Sequence, residues 1–217
     1  MTRVKICGIT TAADLETAIS AGADAVGLIT DVSTDTPRAI APDRAVELAG
    51  AAPPFVTTVL VTMPETPDAT VELAGRVRPD VVQVHGTLTS GDVADLSADI
   101  HADLVVAVSP ADAATYDAVA DALVVDSLDD AEAGGTGETH DWGRTGDLVE
   151  SLDSPVVLAG GLTPDNVADA VATARPFAVD VASGVEERGG RKDHDAVRAF
   201  LTRATGTRTR SERTVEP

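Results

Sequence analysis

The chain has 217 residues, 43% of them hydrophobic, which suits one domain with a sizeable core. Its 36 acidic residues outweigh 16 basic ones for a formal net charge of −20, and like-charge repulsion excludes non-specific binding to nucleic acid or to an anionic membrane. No apolar run nears the ~20 residues that span a bilayer, no leader-like amino terminus is present, and the single cysteine, Cys7, forbids an internal disulfide; a cytoplasmic protein is expected.

Short, almost continuously apolar runs recur along the chain: Val4–Cys7, Ala25–Ile29, Val56–Val61, Val81–Val84, Leu104–Val108, Leu123–Val125, Val156–Leu158 and Val179–Val181. Such runs read as parallel strands buried on both faces. Amphipathic stretches lie between them. Thr11 to Ala21 opens on Thr and Asp, sets Leu15, Ala18 and Ile19 on one face and ends at Gly22. Pro42 opens Asp43–Gly50, Pro164 with Asp165 opens Asn166–Ala174, and Asp193–Thr205 carries an apolar stripe of Val197, Leu201 and Ala204. Ala111–Val119 predicts a short helix. Eight strands alternating with helices predict one (β/α)8 TIM barrel over 1–205, with a polar, disordered tail over 206–217. An open doubly wound sheet is the structural alternative, but Cys7-Gly8-Ile9-Thr10 replaces the Gly-x-Gly-x-x-Gly turn of a dinucleotide fold.

The acid excess is spread over the whole chain, lysine is confined to Lys5 and Lys192, and aromatics make up 2%. This is the composition of a surface adapted to high salt rather than of an acidic tail.

In a barrel the chemistry sits where strands end. That rim collects Cys7, Arg38, His85, Asp126, Gly135, Thr136, Gly160, Gly161, Ser183 and Gly184. Gly160-Gly161 and Ser183-Gly184 follow the last two strands, where backbone N–H groups and a helix start suit a phosphate. Lys5 lies two residues before Cys7 and shares its strand face, so its ammonium would favour the thiolate. A lysine pointing into a barrel needs a partner, and Asp180 on the strand that closes the barrel is the expected one. Asp126 ends an apolar strand, where partial burial would raise a carboxyl group's pKa and suit it to donate a proton. His85 reads equally well as a structural histidine or a ligand contact. No Cys-x-x-Cys, His-x-His or His-Glu-x-x-His spacing occurs, so no metal site is expected.

From Val4 to Leu201 the sequence closely resembles the phosphoribosylanthranilate isomerase family. The marks are Lys5-Ile6-Cys7-Gly8-Ile9-Thr10, Pro37-Arg38, Val82-Gln83-Val84-His85-Gly86, Asp126-Ser127, Gly134-Gly135-Thr136-Gly137 with Asp141-Trp142, Leu158 through Val167, and Asp180 through Glu186 leading to Lys192-Asp193. The resemblance implies an Amadori rearrangement in tryptophan biosynthesis, without cofactor or metal, on a small phosphorylated substrate. It makes Asp126 the general acid, Cys7 the general base and Arg38 the contact for the anthranilate moiety, with the phosphate held at Gly160-Gly161 and Ser183-Gly184. The chain departs from the family at Leu28-Ile29-Thr30, where phenylalanines are usual, at His140, and at Ala182 in place of a common serine. Two alternatives stand beside this reading: a barrel that only binds phospho-ligands, and an isomerase serving both the histidine and tryptophan pathways. The latter carries an acidic residue in place of Cys7 and shows a half-barrel repeat. Assembly is left open between monomer and homodimer.

Overall fold

Each apolar run forms a strand, in a computed structural model that describes residues 2–86, 88–126 and 142–206. The strands are β1 (Arg3–Ile6), β2 (Ala25–Ile29), β3 (Thr57–Thr62), β4 (Val81–His85), β5 (Asp103–Val108), β6 (Ala122–Asp126), β7 (Val156–Ala159) and β8 (Ala178–Val181). They pair in sequence order, all parallel where they meet, and β8 closes on β1 with Lys5 opposite Asp180. The Cys7 N–H donates to the Val181 carbonyl at 2.8 Å, extending the β1–β8 seam by one residue.

The helices are α1 (Ala12–Ser20), α2 (Pro42–Ala51), α3 (Pro67–Val77), α4 (Ser90–Asp99), α5 (Ala113–Tyr116), α6 (Trp142–Ser151), α7 (Val167–Ala174) and α8 (His194–Ala204). A 3-10 turn at Ser183–Val185 and a two-stranded hairpin, β9 (Glu186–Arg188) and β10 (Arg191–Lys192), lie between β8 and α8. Local chemistry sets the helix starts. Thr11 and Thr66 accept from the backbone N–H three residues on, and Thr89 with Asp92 forms a reciprocal capping box. Pro42 and Pro67 occupy first-turn positions, where a missing N–H costs nothing.

Alternation along each strand separates two apolar layers. Outward residues such as Ile6, Leu28, Leu60, Leu104, Leu123 and Leu158 pack under the helices with Leu15, Leu48, Leu96 and Phe200. Inward residues are smaller: Ala107, Val124, Val157, Ala159 and Ala178 form one cluster, and Cys7, Val59 and Val61 another. At the amino-terminal end, carboxylates tie alternate strands together. Asp24, Asp80 and Asp121 precede β2, β4 and β6, and each accepts the backbone N–H of Val4, Thr58 or Leu104 at 2.7–2.8 Å. Before β8 the corresponding link is backbone alone, from the Phe177 N–H to the Val156 carbonyl.

Pro164 does not open α7; it sits in the turn before it, and Asn166 supplies the junction by accepting from Thr163 N–H and donating to the Gly161 carbonyl. The Ala111–Val119 segment contracts to the single turn of α5. The expected tail lies beyond the described residues from 207 onward. Among the described residues no helix is long and apolar enough to cross a membrane.

Candidate active site

Cys7 leaves β1 on the barrel side, and β2 makes room for it by having no side chain at Gly27. A Cβ there would lie 2.7 Å from Cys7 Sγ and 3.0 Å from its Cα. Beneath Cys7, Lys5 Nζ donates to Asp180 Oδ2 at 2.6 Å with both side chains buried. The paired register of β1 and β8 makes this contact direct. Asp180 Oδ1 is buried and has no hydrogen-bond partner.

Burial alone would depress the Lys5 ammonium, but the charges of Asp180 and Cys7 outweigh it, and Lys5 is held above its ordinary value. For Cys7 the balance runs otherwise. Burial pushes the thiol up, Lys5 pulls it down by charge and hydrogen bond, Asp180 pushes it up, and Lys192 adds a smaller downward pull. The net direction is upward. Lys5 does favour the thiolate, as its place on the strand implies, but Asp180 cancels part of the ammonium's field and desolvation exceeds the remainder.

Arg38 is delivered by the chain leaving β2. A bridge between Ile29 and Ala39, with the Ile40 N–H on the Ile29 carbonyl, brings this loop back to the rim. The guanidinium makes a two-pronged contact with Glu186, Nε to Oε1 at 2.9 Å and Nη2 to Oε2 at 2.8 Å. Lys192 Nζ donates to the same Glu186 Oε1 at 2.9 Å and to the Ala182 carbonyl at 2.9 Å. Burial opposes ionisation of Glu186, but its bonds to Arg38 and Lys192 win and hold its carboxyl below the usual range. At Ala182 the useful group is the main-chain carbonyl, so loss of the family's serine leaves this contact intact.

Asp126 ends β6 two residues beyond the inward-facing Val124, placing it on the barrel side of the same rim. Gly160 and Gly161 follow β7 with φ of 85° and 61°, a left-handed backbone that glycine adopts readily. Gly184 lies in the 3-10 turn against this loop, where a Cβ would overlap the Leu162 carbonyl oxygen. The two glycine segments are thus packed on each other, with Ser183 beside Gly184. His85 ends β4, away from β1 and β8, and borders a cavity of about 200 Å³ with Gly86, Leu88, Ser109, Asp112 and Tyr116. Gly135, Thr136 and His140 lie outside the described residues.

The sequence from 4 to 203 matches the family model described as N-(5'-phosphoribosyl)anthranilate (PRA) isomerase. The chain belongs to this family. A relative named N-(5'-phosphoribosyl)anthranilate isomerase in Natronomonas pharaonis is 65% identical over 206 residues, covering 95% of this chain and 99% of the relative. Such relatives come mostly from halophilic archaea. Two solved structures match along their full length and over 95% of this chain. One is a phosphoribosylanthranilate isomerase in complex with reduced 1-(o-carboxyphenylamino)-1-deoxyribulose 5-phosphate, 33% identical with a TM-score of 0.81. The other shows monomers generated from a dimeric Thermotoga maritima isomerase, 31% identical with a TM-score of 0.80. The chain is thus a TIM-barrel isomerase of tryptophan biosynthesis.

Sequence reasoning named every residue of the Lys5–Asp180 pair and Arg38, and missed what holds Arg38. Glu186 and Lys192 stood inside a recognised motif without a role. The one signal on offer was that Lys192 is one of two lysines in a chain whose other basic residues are arginine. Gly27 gave no sequence signal, because its contribution is space.

Proposed function

We propose that the isomerase converts N-(5-phosphoribosyl)anthranilate to 1-(o-carboxyphenylamino)-1-deoxyribulose 5-phosphate with Asp126 as general acid and Cys7 as general base. The observation that carries this reading is the placement of both groups on the inner side of one rim, with the buried Lys5–Asp180 pair beneath Cys7. The substrate's phosphate binds to backbone N–H groups of Gly160-Gly161 and Ser183-Gly184, and its benzoate faces Arg38. Asp126 gives a proton to the furanose ring oxygen, and the C1–O bond opens to a Schiff base. The Cys7 thiolate then removes the C2 proton, the C–H electron pair forms the C1=C2 bond, and the imine electrons settle on nitrogen. The enolamine so formed tautomerises to the ketone product. The cationic Schiff base offsets the burial that disfavours a thiolate, so Cys7 ionises best when its substrate has opened.

Loss of the substrate's anthranilate fluorescence, followed in molar KCl, tests the assignment. Cys7→Ala and Asp126→Asn should each lower kcat by about 10²–10⁴-fold, the range for one acid–base group. An active parent with undiminished variants would refute the assigned roles. An inactive parent would favour a barrel that only binds phospho-ligands.

The same reading expects a cytoplasmic enzyme with 1–205 as its catalytic domain. For assembly it favours a homodimer joined at the amino-terminal mouth of the barrel. Phe55, just before β3, is fully exposed at φ 74°, a conformation a bulky residue rarely holds, and Phe177 before β8 is 43% exposed. Both lie at the end that holds an apolar-lined cavity of about 300 Å³. Light scattering in molar KCl should give a dimer that Phe55→Asp dissociates; a monomeric parent would exclude the dimer.

A further inference from the structure

The β9–β10 hairpin folds back over the rim beside Cys7. Its register sets Lys192 opposite Glu186. Its turn is anchored on the Arg38 loop: a Cβ on Gly189 would lie 2.6 Å from Pro37 Cγ, and one on Gly190 would overlap the Pro37 carbonyl. Thr10 Oγ1, from the segment after Cys7, donates to the Gly190 carbonyl at 2.6 Å. The hairpin therefore fixes Lys192 and Glu186 relative to both Cys7 and Arg38.

The charged groups that act on Cys7 are Lys5 from β1, Asp180 from β8 and Lys192 from β10; β2 presents only Gly27 to it. Burial holds the Lys192 ammonium below the usual lysine value, opposed by the bond and charge of Glu186 and the charge of Cys7, with Arg38 adding a smaller downward push. The Lys192 side chain is 0% exposed and that of Glu186 is 4% exposed. On the β1, β8 and hairpin side of the rim three cations, Lys5, Lys192 and Arg38, meet two carboxylates, Asp180 and Glu186, and the Asp126 carboxyl ends β6 on the same rim. Glu186 divides its charge, because the Arg38 fork takes both carboxylate oxygens and shares Oε1 with Lys192.

We propose that Lys192 is a positioning residue acting through Cys7: locked by Glu186 and the Ala182 carbonyl, its ammonium sustains the thiolate that takes the substrate's C2 proton, and Glu186 moderates that effect by dividing its carboxylate between Lys192 and Arg38. In the step concerned the C2–H bond breaks and an S–H bond forms. The electron pair passes to the C1=C2 bond and on to nitrogen, and Lys192 keeps its own proton. The inference rests on Cys7 being the base.

Because Cys7 is the sole thiol, its ionisation can be read from thiolate ultraviolet absorbance during a pH titration of the free enzyme, without any turnover. Lys192→Met removes the cation and should move the thiol midpoint up. Glu186→Gln removes the moderating charge and should move it down, and should also raise KM by loosening Arg38. The limb of kcat/KM that rises with pH should follow each shift. Midpoints that stay in place, or move together in one direction, would overturn the proposal and leave the hairpin a structural role. If Lys192→Met fails to fold, the isosteric Glu186→Gln decides alone: no downward shift overturns the idea. A parent whose rate ignores its own thiol midpoint would refute Cys7 as base, an outcome distinct from failure of the hairpin variants to shift the thiol.

Discussion

Gly27 leaves β2 without a side chain against the sulfur of Cys7, the proposed base, so Gly27→Ala is a sharp perturbation. The new methyl would start 2.7 Å from Cys7 Sγ, 3.0 Å from Cys7 Cα and 3.2 Å from its Cβ. Comfortable carbon contacts lie near 3.5–4.0 Å, so Cys7 must retreat by about 1 Å or β1 and β2 must part. Overpacking of this kind costs about 1–3 kcal/mol. For a chain of this length that lowers Tm by roughly 2–12 °C. A displacement near 1 Å at a reacting group costs on the order of 10² in rate. The proposed phosphate loops follow β7 and β8, so kcat should fall about a hundredfold while KM stays within a few-fold of the parent. Gly75→Ala is the matched control: it lies in α3, where an added methyl would meet nothing within 4 Å, and alanine there should be neutral or stabilising. Steady-state kinetics and thermal melts in molar KCl measure both variants. A Gly27→Ala enzyme with near-parental kcat, or with its loss confined to KM, would refute the claim that this glycine places the base.

Gly184→Ala should act on binding, because its methyl would overlap the Leu162 carbonyl and separate the two proposed phosphate loops; KM should rise about tenfold or more with kcat nearly held, the pattern of lost uniform binding. A loss confined to kcat would remove Gly184 from the phosphate site. Cys7 also links stability to alkaline pH. Its folded thiol titrates above the ordinary value, so its contribution is complete below the unfolded thiol's pKa and is lost as pH rises through the folded one. Urea denaturation should show a fall in stability across that window that Cys7→Ala abolishes. Finally, the net charge of −20 opposes an anionic substrate at low salt, whereas at 1 M the Debye length is about 3 Å. KM should fall and stability rise with molar KCl, and a flat or inverse response would refute the high-salt reading of the surface.

The barrel was legible because its physics is periodic. Strands buried on both faces must be apolar throughout, so eight runs such as Ala25–Ile29 and Val156–Leu158 announced themselves, and their ends located the rim. Helices without so clear a stripe were harder. Pro67–Val77 and Ser90–Asp99 begin at Thr66 and Thr89 caps, and the second is marked by the Thr89–Asp92 box, a signal as good as the ones used for α1 and α2. Pro164 misled because proline suits a turn before a helix as well as a helix start. In the site, Lys5 and Asp180 could be paired because strand alternation and barrel closure are rules that act over the whole sequence. The Arg38–Glu186–Lys192 cluster obeys no such rule. It depends on a short hairpin turning back onto a loop nearly 150 positions earlier, a contact that neither spacing nor periodicity encodes.

The lysine distribution connects surface and site. Sixteen basic residues serve the chain, and both lysines are buried near Cys7. On the exposed face, pairs such as Arg76–Asp43 and Arg203–Asp165 use the guanidinium's broad fork, which tolerates loose, solvated geometry. A position with no exposure is different. Lys192 must satisfy a carbonyl and a carboxylate from one nitrogen, and a compact ammonium on a flexible stem can do this where a planar fork would demand more room. An ammonium is also a point charge, so its effect on a neighbouring sulfur is concentrated. The same composition shift that makes the surface acidic therefore leaves lysine only at two buried positions, both beside the proposed base.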